Sequence, residues 1–475
     1  MASPEITPFA KTGGLGDMLG SMPIALERLG VRVSLIMPAY RSVFEKGFPI
    51  EDTGVRLTVP ISERREEATL LKTRTRRVIP VYLIRADRYF DRDYLYGTAE
   101  GDYPDNAERF AFFGRAILEI LKLDPPTILH AHDWQSALAI AFLKTQPHLY
   151  PQLAAVKTIF TIHNLGYQGI FPPQDWHLLN LDWSFFTPRH LEFYGKINFL
   201  KGGITLADAI TTVSPTYAEE IKSEEQGFGL EGVFRERADN LFGIRNGVDY
   251  EGWNPETDPF ISQKYSRDNP SGKKTCKAAI QQTFNLPENP DTPLIGMVSR
   301  LATQKGLDLL ARALDRLLSL GVQFVLLGTG DRHYQEFFAK LDRRYPQKAG
   351  ARITFDEPFA RKIIAGADML LMPSRYEPCG LTQLYALRYG TIPIVRAVGG
   401  LKDTVEEFDP KTGKGNGFTF NAYEVKDLLA AVERGVNLFR QRDKWTRVMK
   451  NAMAADFSWE HPARAYLELY HKLMG

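Results

Sequence analysis

Short, continuous apolar runs recur along the chain, and each ends in a polar or glycine-rich turn that a helical pattern follows. Runs of this kind are typical of parallel strands that are buried on both faces, with helices as the crossovers between them. The sequence therefore predicts an α/β protein with parallel sheets. The predicted strands lie at 127–130, 157–162, 209–213, 294–298, 323–327, 369–372 and 392–395.

The strands form two series, separated by a polar segment at 251–274 that is rich in Pro, Asn, Asp and Ser. We interpret this segment as an interdomain linker. Two doubly wound, Rossmann-like domains are expected: residues 1–248, which a C-terminal helix at 458–475 rejoins, and residues 249–457. Ligands of such sheets bind beyond the carboxyl ends of the strands, so a cleft between the domains would bring both sets of loops to one substrate.

The charge balance argues against a nucleic-acid partner, because the chain has 59 Lys and Arg residues and 57 Asp and Glu residues, so its net charge is only +2. The richest basic cluster, Arg74, Arg76 and Arg77, is short and is interpreted as a solvated strand edge. No apolar run approaches about 18 residues, so neither a membrane-spanning helix nor a membrane partner is expected.

Two cysteines, Cys276 and Cys379, are too few for a disulfide framework or a four-cysteine zinc site, which indicates a reducing compartment. The first ten residues lack the basic and apolar pattern of a secretory signal. We therefore expect a cytoplasmic location, or a plastid location if a targeting segment precedes this sequence.

The heptapeptide Lys11-Thr-Gly-Gly-Leu-Gly-Asp17 precedes a helical pattern at 18–29. Glycines let backbone N–H groups approach an anion, and the N-terminus of a helix favours negative charge. The alternative is a glycine turn beside a solvated lysine, and the heptapeptide alone leaves both open. The G-x-G-x-x-G fingerprint is incomplete, which argues against a nicotinamide oxidoreductase.

Two histidine motifs end predicted strands: His-Ala-His-Asp-Trp at 130–134 and Thr-Ile-His-Asn at 161–164. A metal site is one interpretation, but no further ligand follows at helical spacing. Capping and hydrogen bonds to the backbone are the more ordinary roles of such residues. His163 ends an apolar strand and is therefore a candidate donor of a hydrogen bond to substrate.

Arg300 and Lys305 lie in a strand-to-helix turn that leads into an apolar helix face at 307–317. Arginine supplies a bidentate fork and lysine a point charge, so the pair can hold a pyrophosphate. The alternative is a pair of surface cations. The helix dipole disfavours cations at a helix start, which favours the anion site.

The segment Pro-Ser-Arg-Tyr-Glu-Pro-Cys-Gly-Leu-Thr at 373–382 leads into a helix predicted at 381–388. The backbone N–H groups of residues 380–382 would be free to bind a phosphate. A carboxylate cannot ligate that phosphate, so Glu377 suits sugar hydroxyls or a developing positive charge. Its alternative role is that of a solvated turn residue.

In their order along the chain, these motifs resemble those of bacterial glycogen synthases and plant starch synthases. The segments Asn246-Gly-Val-Asp249 and Gly399-Gly-Leu401 continue the match, which covers essentially the whole chain. The resemblance implies a GT-B fold, with two Rossmann-like domains facing a cleft. It also implies transfer of glucose from a nucleotide-glucose, typically ADP-glucose, to the non-reducing end of an α-1,4-glucan. No cofactor or metal is expected.

The resemblance implies the following roles for individual residues. Arg300 and Lys305 would hold the diphosphate, while His163 and Glu377 would contact the donor glucose at the reacting centre. Phe355 would stack on the base. The other implied contacts with the donor involve Lys11, Gly13, Gly14, Asp17, Asn246, Cys379, Gly380, Leu381 and Thr382.

Tyr96 and Asp133 fall where the family binds the glucan acceptor. The family also begins with a strand before the glycine-rich loop, but residues 1–10 of this chain contain Pro4 and Pro8. Proline cannot donate to a strand ladder, so this segment is expected to be a poor central strand.

An α-linked donor and an α-linked product require net retention. Two carboxylates around the anomeric carbon would serve a double displacement, but the motifs place only Glu377 there. Front-face departure and attack through an oxocarbenium-like transition state is therefore the favoured mechanism. Arg300 and Lys305 would stabilise the charge on the leaving nucleoside diphosphate, so their replacement by alanine should slow the reaction with little loss of fold.

Two other functions stay open. One is a different GT-B nucleotide-sugar transferase with a small acceptor, and the other is a catalytically silent glucan-binding scaffold. Several aromatic residues either form a sugar platform or pack in the core: Trp134, Tyr167, Phe171, Trp176 and Trp183.

Overall fold

The computed structural model describes residues 1–75, 78–98 and 100–475, so Arg76 and Arg77 of the basic cluster lie outside the described residues. The chain divides into unit 1, Met1–Gly247 with Trp459–Gly475, and unit 2, Val248–Ser458. The predicted domain boundaries, 248/249 and 457/458, lie within one residue of this division.

Unit 1 is built on a twisted sheet with helices packed around it. Its strands are β1 Leu35–Pro38, β2 Glu51–Ile61, β3 Arg64–Thr75, β4 Ile79–Arg85, β5 Gly97–Thr98, β6 Gly101–Asp102, β7 Ile128–His132, β8 Lys157–Ile162, β9 Ile170–Phe171, β10 Glu192–Phe193, β11 Lys196–Asn198, β12 Ala209–Thr212 and β13 Leu241–Gly243. Its helices before the division are α1 Gly14–Arg28, α2 Arg41–Glu45, α3 Asp87–Phe90, α4 Asn106–Leu121, α5 Trp134–Thr145, α6 Phe199–Leu206, α7 Pro215–Glu220 and α8 Glu231–Glu236.

The N-terminal residues form a central strand position in unit 1, so the expectation of a poor central strand is wrong. Ala2 pairs in parallel with Ile36 of β1 on one side and with Ala131 of β7 on the other. The Ala2 N–H donates to the His130 carbonyl at 2.9 Å, and the Ser3 N–H donates to the Ile36 carbonyl at 3.0 Å. Both prolines follow these residues, so neither removes an N–H group from the ladder.

Ala2 thereby joins β2-β3-β4-β1 to β7-β8-β12-β13. Residues 1–3 and β7 lie side by side, and the order of the strands along the chain reverses between them. The loops that follow these two segments therefore start next to each other at this position. In doubly wound sheets this topological switch point is where ligands bind.

The sheet of unit 1 is mixed rather than purely parallel, because β2 and β3 form an antiparallel hairpin at its edge. Both strands carry many exposed charged residues, and burial along them is partial and interrupted. A search for continuous apolar runs misses such strands, since one of their faces meets water.

Unit 2 is a purely parallel sheet in the order β16-β15-β14-β17-β18-β19, the doubly wound Rossmann order. Its strands are β14 Leu294–Val298, β15 Gln323–Gly328, β16 Ala349–Ile353, β17 Met369–Met372, β18 Ile392–Arg396 and β19 Phe418–Phe420. Its helices are α9 Gly272–Thr283, α10 Leu307–Ser319, α11 Arg332–Phe338, α12 Leu341–Arg344, α13 Glu357–Gly366, α14 Thr382–Arg388, α15 Gly399–Lys402, α16 Val425–Phe439 and α17 Arg442–Ala454. The last helix, α18 Glu460–Met474, belongs to unit 1.

The predicted strands are confirmed, but the interpretation of 251–274 as a linker is wrong. The segment is anchored in unit 2 by Trp253, whose ring stacks on Tyr385 with centroids 3.7 Å apart. Asp258 is buried and accepts a 2.5 Å hydrogen bond from the Tyr389 hydroxyl. A few buried anchors hold a segment whose composition is otherwise that of a linker.

No helix among the described residues combines the length and the apolar character that crossing a bilayer requires.

Candidate active site

The switch point of unit 2 lies between β14 and β17, and the loops that follow these strands are joined closely. Gly306 has a φ of +75°, and a Cβ atom there would lie 1.9 Å from the Pro373 carbonyl oxygen. The Arg375 N–H donates to the Gln304 carbonyl at 2.8 Å. The glycine thus lets two loops that are about 70 residues apart in sequence share one surface.

These loops bring Lys305 and Glu377 together as an ion pair. The Lys305 Nζ lies 2.8 Å from Oε1 and 2.7 Å from Oε2 of Glu377. The Ser374 hydroxyl donates to Oε2 at 2.9 Å, and Glu377 is only 5% exposed. The two residues were predicted to have separate contacts with a donor, and their direct pairing was not foreseen.

This pairing revises the expectation that Lys305→Ala leaves the fold intact. Removal of one partner of a buried pair leaves the other charge without compensation, which is strongly destabilising. The Arg300 guanidinium donates to the uncharged Gln304 side chain at 3.3 Å, and the expectation for Arg300→Ala stays a prediction.

The backbone of Glu377 is held by the start of α15. The Gly400 N–H donates to the Glu377 carbonyl at 3.0 Å. Gly399 has a φ of +44°, and a Cβ atom there would lie 2.0 Å from the same carbonyl oxygen. The Gly-Gly pair was noted only as part of the family resemblance, and the structure gives it a positioning role.

The predicted helix after Glu377 begins at Thr382, with Leu381 as its N-cap residue and no side chain capping it. Gly380 has a φ of +66°, and Cys379 is buried. The predicted start at 381 is therefore confirmed to within one residue. Backbone N–H groups at such an end are suited to an anion.

Phe355 lies in the loop between β16 and α13 and is 68% exposed. Asp356 caps the following helix by accepting a 2.9 Å hydrogen bond from the Phe359 N–H. Because most of the Phe355 side chain is exposed, its ring is accessible, as stacking on a base would require.

In unit 1, helix α1 begins at Gly14, four residues earlier than the predicted pattern. Gly13 is its N-cap residue, in an extended conformation and without a side-chain cap. Lys11 pairs with Asp17 at 2.7 Å, which places both charges beside the start of the helix.

Glu5 is a site residue that the sequence analysis missed. It is 3% exposed, and its carboxylate accepts hydrogen bonds from the Thr12 N–H at 2.5 Å and the Thr12 hydroxyl at 2.6 Å. The Tyr96 hydroxyl donates to it at 2.7 Å. Burial, and then the Glu5 charge, hold the pKa of Tyr96 well above its usual range. The structure thus uses the hydroxyl of Tyr96 to hold Glu5 and the glycine-rich loop.

Asp133 directly follows β7 and is the N-cap residue of α5, with a φ of +57° that is uncommon for a residue with a side chain. Its Oδ1 accepts a 2.7 Å hydrogen bond from the His163 N–H, which ties the ends of β7 and β8 together. Burial raises the pKa of the Asp133 carboxyl to about 7. Near neutral pH the group is therefore divided between its neutral and charged forms.

Three buried histidines lie behind this loop. The His130 and His132 rings stack with centroids 4.2 Å apart, and His132 Nδ1 lies 3.1 Å from His163 Nε2. His130 is further bonded to the hydroxyls of Tyr470, at 2.9 Å, and Thr161, at 2.6 Å. Among the described residues, no group of three or more His, Cys, Asp or Glu is arranged to hold a metal ion.

Burial lowers the pKa of His163 to about 3 and holds those of His130 and His132 well below their usual range. The unfolded chain binds these protons near pH 6.5, so acid favours unfolding. The free energy of unfolding should fall as the pH drops below 6.5, by about 1.4 kcal/mol per pH unit for each histidine that stays neutral in the folded protein, and for His163 this fall extends to about pH 3. The raised pKa of Asp133 has the opposite effect on the free energy of unfolding below pH 7. The contribution of the histidines is therefore tested by comparing variants.

Urea unfolding at pH 7, 6 and 5 measures this dependence. His132→Gln should lower the pH slope by about one proton, whereas His148→Gln, a change at an exposed position, should leave it unchanged. Equal slopes in the two variants would contradict a neutral, buried His132.

Asn246 lies near the end of unit 1 and is 3% exposed. Its side-chain oxygen is buried and makes no hydrogen bond with the described residues. A buried polar atom of this kind has a strong need for a partner, so it suits the predicted contact with a ligand.

The chain matches two family models. "Starch synthase catalytic domain" matches residues 1–236, and "Glycosyl transferases group 1" matches residues 280–451. The glycogen synthase of Koribacter versatilis is 48% identical, over 99% of this chain and 97% of that protein. The glycogen synthase of Pseudothermotoga lettingae is 46% identical, over 100% of this chain and 98% of that protein.

Solved structures agree with this relationship. The catalytic domain of starch synthase IV from Arabidopsis thaliana, bound to ADP and acarbose, has a TM-score of 0.93 and 32% identity. The match covers 100% of this chain and 98% of that one. A sucrose-phosphate synthase from Thermosynechococcus elongatus, at 17% identity and a TM-score of 0.61, shares the fold.

The expected GT-B fold and the expected family are thereby confirmed. With near-complete coverage by relatives that are 46–48% identical, the chain belongs to the glycogen synthase and starch synthase family of glycosyltransferases.

Proposed function

We propose that the protein is a retaining glucosyltransferase that moves glucose from ADP-glucose to the non-reducing end of an α-1,4-glucan. The Lys305–Glu377 pair at the switch point of unit 2 carries the proposal, because it places a cation for a leaving diphosphate against a buried carboxylate. The Arabidopsis relative was solved bound to ADP, the nucleotide that transfer from ADP-glucose would release.

Lys305, Arg300 and the N-terminus of α14 stabilise the leaving diphosphate in this proposal. All three lie at the carboxyl edge of one sheet, after β14 and β17. Groups that are already in place need no rearrangement as charge builds on the leaving oxygen, which is the largest source of rate in many enzymes.

Glu377 acts as an electrostatic partner of the donor glucose rather than as a nucleophile. Both of its oxygens lie within 2.8 Å of the Lys305 ammonium, and one also accepts the Ser374 hydroxyl. A carboxylate with its charge compensated in this way is a weak nucleophile. This favours front-face departure and attack, with retention, over a covalent glucosyl intermediate.

In this proposal unit 1 supplies the contacts with the acceptor. His163 is neutral at working pH and bonded to His132, so it offers a hydrogen bond without adding charge. Asp133, with a pKa of about 7, serves the acceptor, and Tyr96 supports this side by bonding to Glu5 through its hydroxyl. The two buried motifs after β7 and β8 are tied together by the Asp133–His163 hydrogen bond.

We propose that no metal or organic cofactor takes part, because Lys305 and Arg300 supply the positive charge that a divalent ion supplies to the leaving group elsewhere. EDTA at millimolar concentration should leave ADP release at the rate of an untreated sample. A loss of activity that Mg²⁺ or Mn²⁺ restores would contradict this.

The small number of cysteines supports a cytoplasmic location.

The direct test measures nucleoside diphosphate release from ADP-glucose and from UDP-glucose, each with and without glycogen. We expect release from ADP-glucose that depends on glycogen. Release from UDP-glucose alone would overturn the donor assignment. Release that requires a small sugar acceptor and ignores glycogen would indicate a different transferase. Absence of release from cooperatively folded protein would indicate a glucan-binding scaffold.

A further inference from the structure

An open groove on the surface of unit 1 has no part in the proposed chemistry. It has a volume of about 560 Å³, within the range of about 300–1,000 Å³ that is typical of ligand sites. The turn between β2 and β3 forms one wall. The other wall is formed by two 3₁₀ turns, Pro173–Leu179 and Trp183–Phe185.

An aromatic platform lines the groove. Trp183 is 61% exposed, and its ring stacks on the buried Trp176 with centroids 5.6 Å apart and planes 26° apart. Phe186 packs edge-on against both rings, with centroid distances of 5.2 Å. The Trp176 indole N–H donates to the Leu181 carbonyl at 3.0 Å. These contacts hold Trp183 in one orientation while a face of its ring stays in water.

The walls of the groove are held in place before any ligand arrives. Asn180, at a φ of +49°, donates from its side chain to the Ser62 carbonyl at 2.7 Å and so ties the two walls together. The carbonyl of Leu179 accepts a 2.7 Å hydrogen bond from the buried Arg115 guanidinium. A site that is already ordered loses little conformational entropy on binding.

The polar groups around the platform fit an uncharged, hydroxyl-rich ligand. Gln174 and Asn180 offer amides, and Glu63 offers a carboxylate. The His177 Nδ1 donates to the Gln174 carbonyl at 2.8 Å, which leaves its Nε2 as an acceptor. None of the described residues that line the groove is Lys or Arg, which argues against a phosphate or a nucleic acid.

We propose that this groove binds a segment of α-glucan chain, with a sugar face stacked on Trp183 and its hydroxyls bonded to the rim. The proposal rests on the proposed function, which makes a polymeric glucan the acceptor. The groove is a second binding site on the polymer. Two linked sites raise the effective concentration of chain ends near the enzyme, although only one of them reacts.

Trp183→Ala tests the proposal, with Tyr194→Ala as the matched control, since Tyr194 is an aromatic residue of unit 1 that is 79% exposed and does not line the groove. Binding of maltoheptaose without donor is measured by calorimetry. Trp183→Ala should weaken the groove site about tenfold, and Trp183→Phe should retain most of the affinity. The control should bind as the unmodified protein does.

Kinetics supply the second readout. In Trp183→Ala the KM for glycogen should rise, while kcat and the KM for maltotriose, a short acceptor that the proposal expects to use the reacting site alone, stay unchanged. Unchanged maltoheptaose affinity, or an equal rise of KM for both acceptors, would overturn the proposal. Binding that depends on Trp183 in a protein without ADP release would instead refute the proposed function and leave the groove assignment standing.

Discussion

Replacement of Lys305 by alanine is expected to slow ADP release by about 10²–10³-fold, because the leaving diphosphate loses a preorganised cation. The same change should lower the free energy of unfolding by about 3–5 kcal/mol, because the buried Glu377 carboxylate loses its counter-charge. Turnover from ADP-glucose and urea unfolding at pH 7 measure the two effects separately.

A second buried pair in unit 2 provides the matched control. Lys277 lies 2.7 Å from Asp368, with the two side chains 5% and 11% exposed. Asp368 directly precedes β17 and Glu377 follows it, so the two pairs lie at opposite ends of one strand. Lys277→Ala should lose stability with an unchanged kcat.

The double variant Lys305→Met with Glu377→Gln separates charge compensation from catalysis. It should recover much of the lost stability, because no uncompensated charge remains, and it should stay inactive. Wild-type turnover in Lys305→Ala would refute the assignment of Lys305 to the leaving group.

Gly306→Ala is expected to be among the most damaging single-methyl changes in the described part of the chain. Its Cβ atom would lie 1.9 Å from the Pro373 carbonyl oxygen, so the loops after β14 and β17 would have to separate. A misplacement of about 1 Å at a reacting centre costs on the order of 10²-fold in rate. Turnover should fall by at least this factor, with a lowered melting temperature.

Gly321→Ala isolates the clash from the backbone strain. Gly321 has a φ of +76°, nearly the same as the +75° of Gly306, and a Cβ atom there would meet no atom within 4 Å. Both variants bear the cost of a positive φ, about 1–3 kcal/mol. Only Gly306→Ala should lose activity. Equal activity losses in the two variants would show that loop contact at Gly306 is unimportant.

Much of the fold follows from patterns of sequence. Buried parallel strands require continuous apolar runs, so β7, β8, β12, β14, β15, β17 and β18 are visible without a structure. The antiparallel hairpin of β2 and β3 is not, since one face of each strand meets water and the signal is diluted. The segment at 251–274 misleads for a related reason, because Trp253 and Asp258 anchor it in unit 2 despite its polar composition.

The residues of the candidate site also fall into those that the sequence identifies and those that only the structure reveals. Arg300, Lys305, Glu377 and His163 can be identified as candidates because they follow buried strands, and ligands of such sheets bind beyond the carboxyl ends of the strands. Glu5 has no such signal. Its importance depends on Thr12 and Tyr96, and Tyr96 lies 91 residues away along the chain.

By itself, the sequence determined the alternation of strands and helices, the family, and the set of residues available for chemistry, because these depend on local patterns and on motif order. The tertiary structure alone decided which of those residues meet. The Lys305–Glu377 pair, the neutral histidines behind Asp133 and the fixed ring of Trp183 all arise from burial and from contacts between distant segments. No local pattern encodes the desolvation that sets a pKa or the close approach that fixes an ion pair.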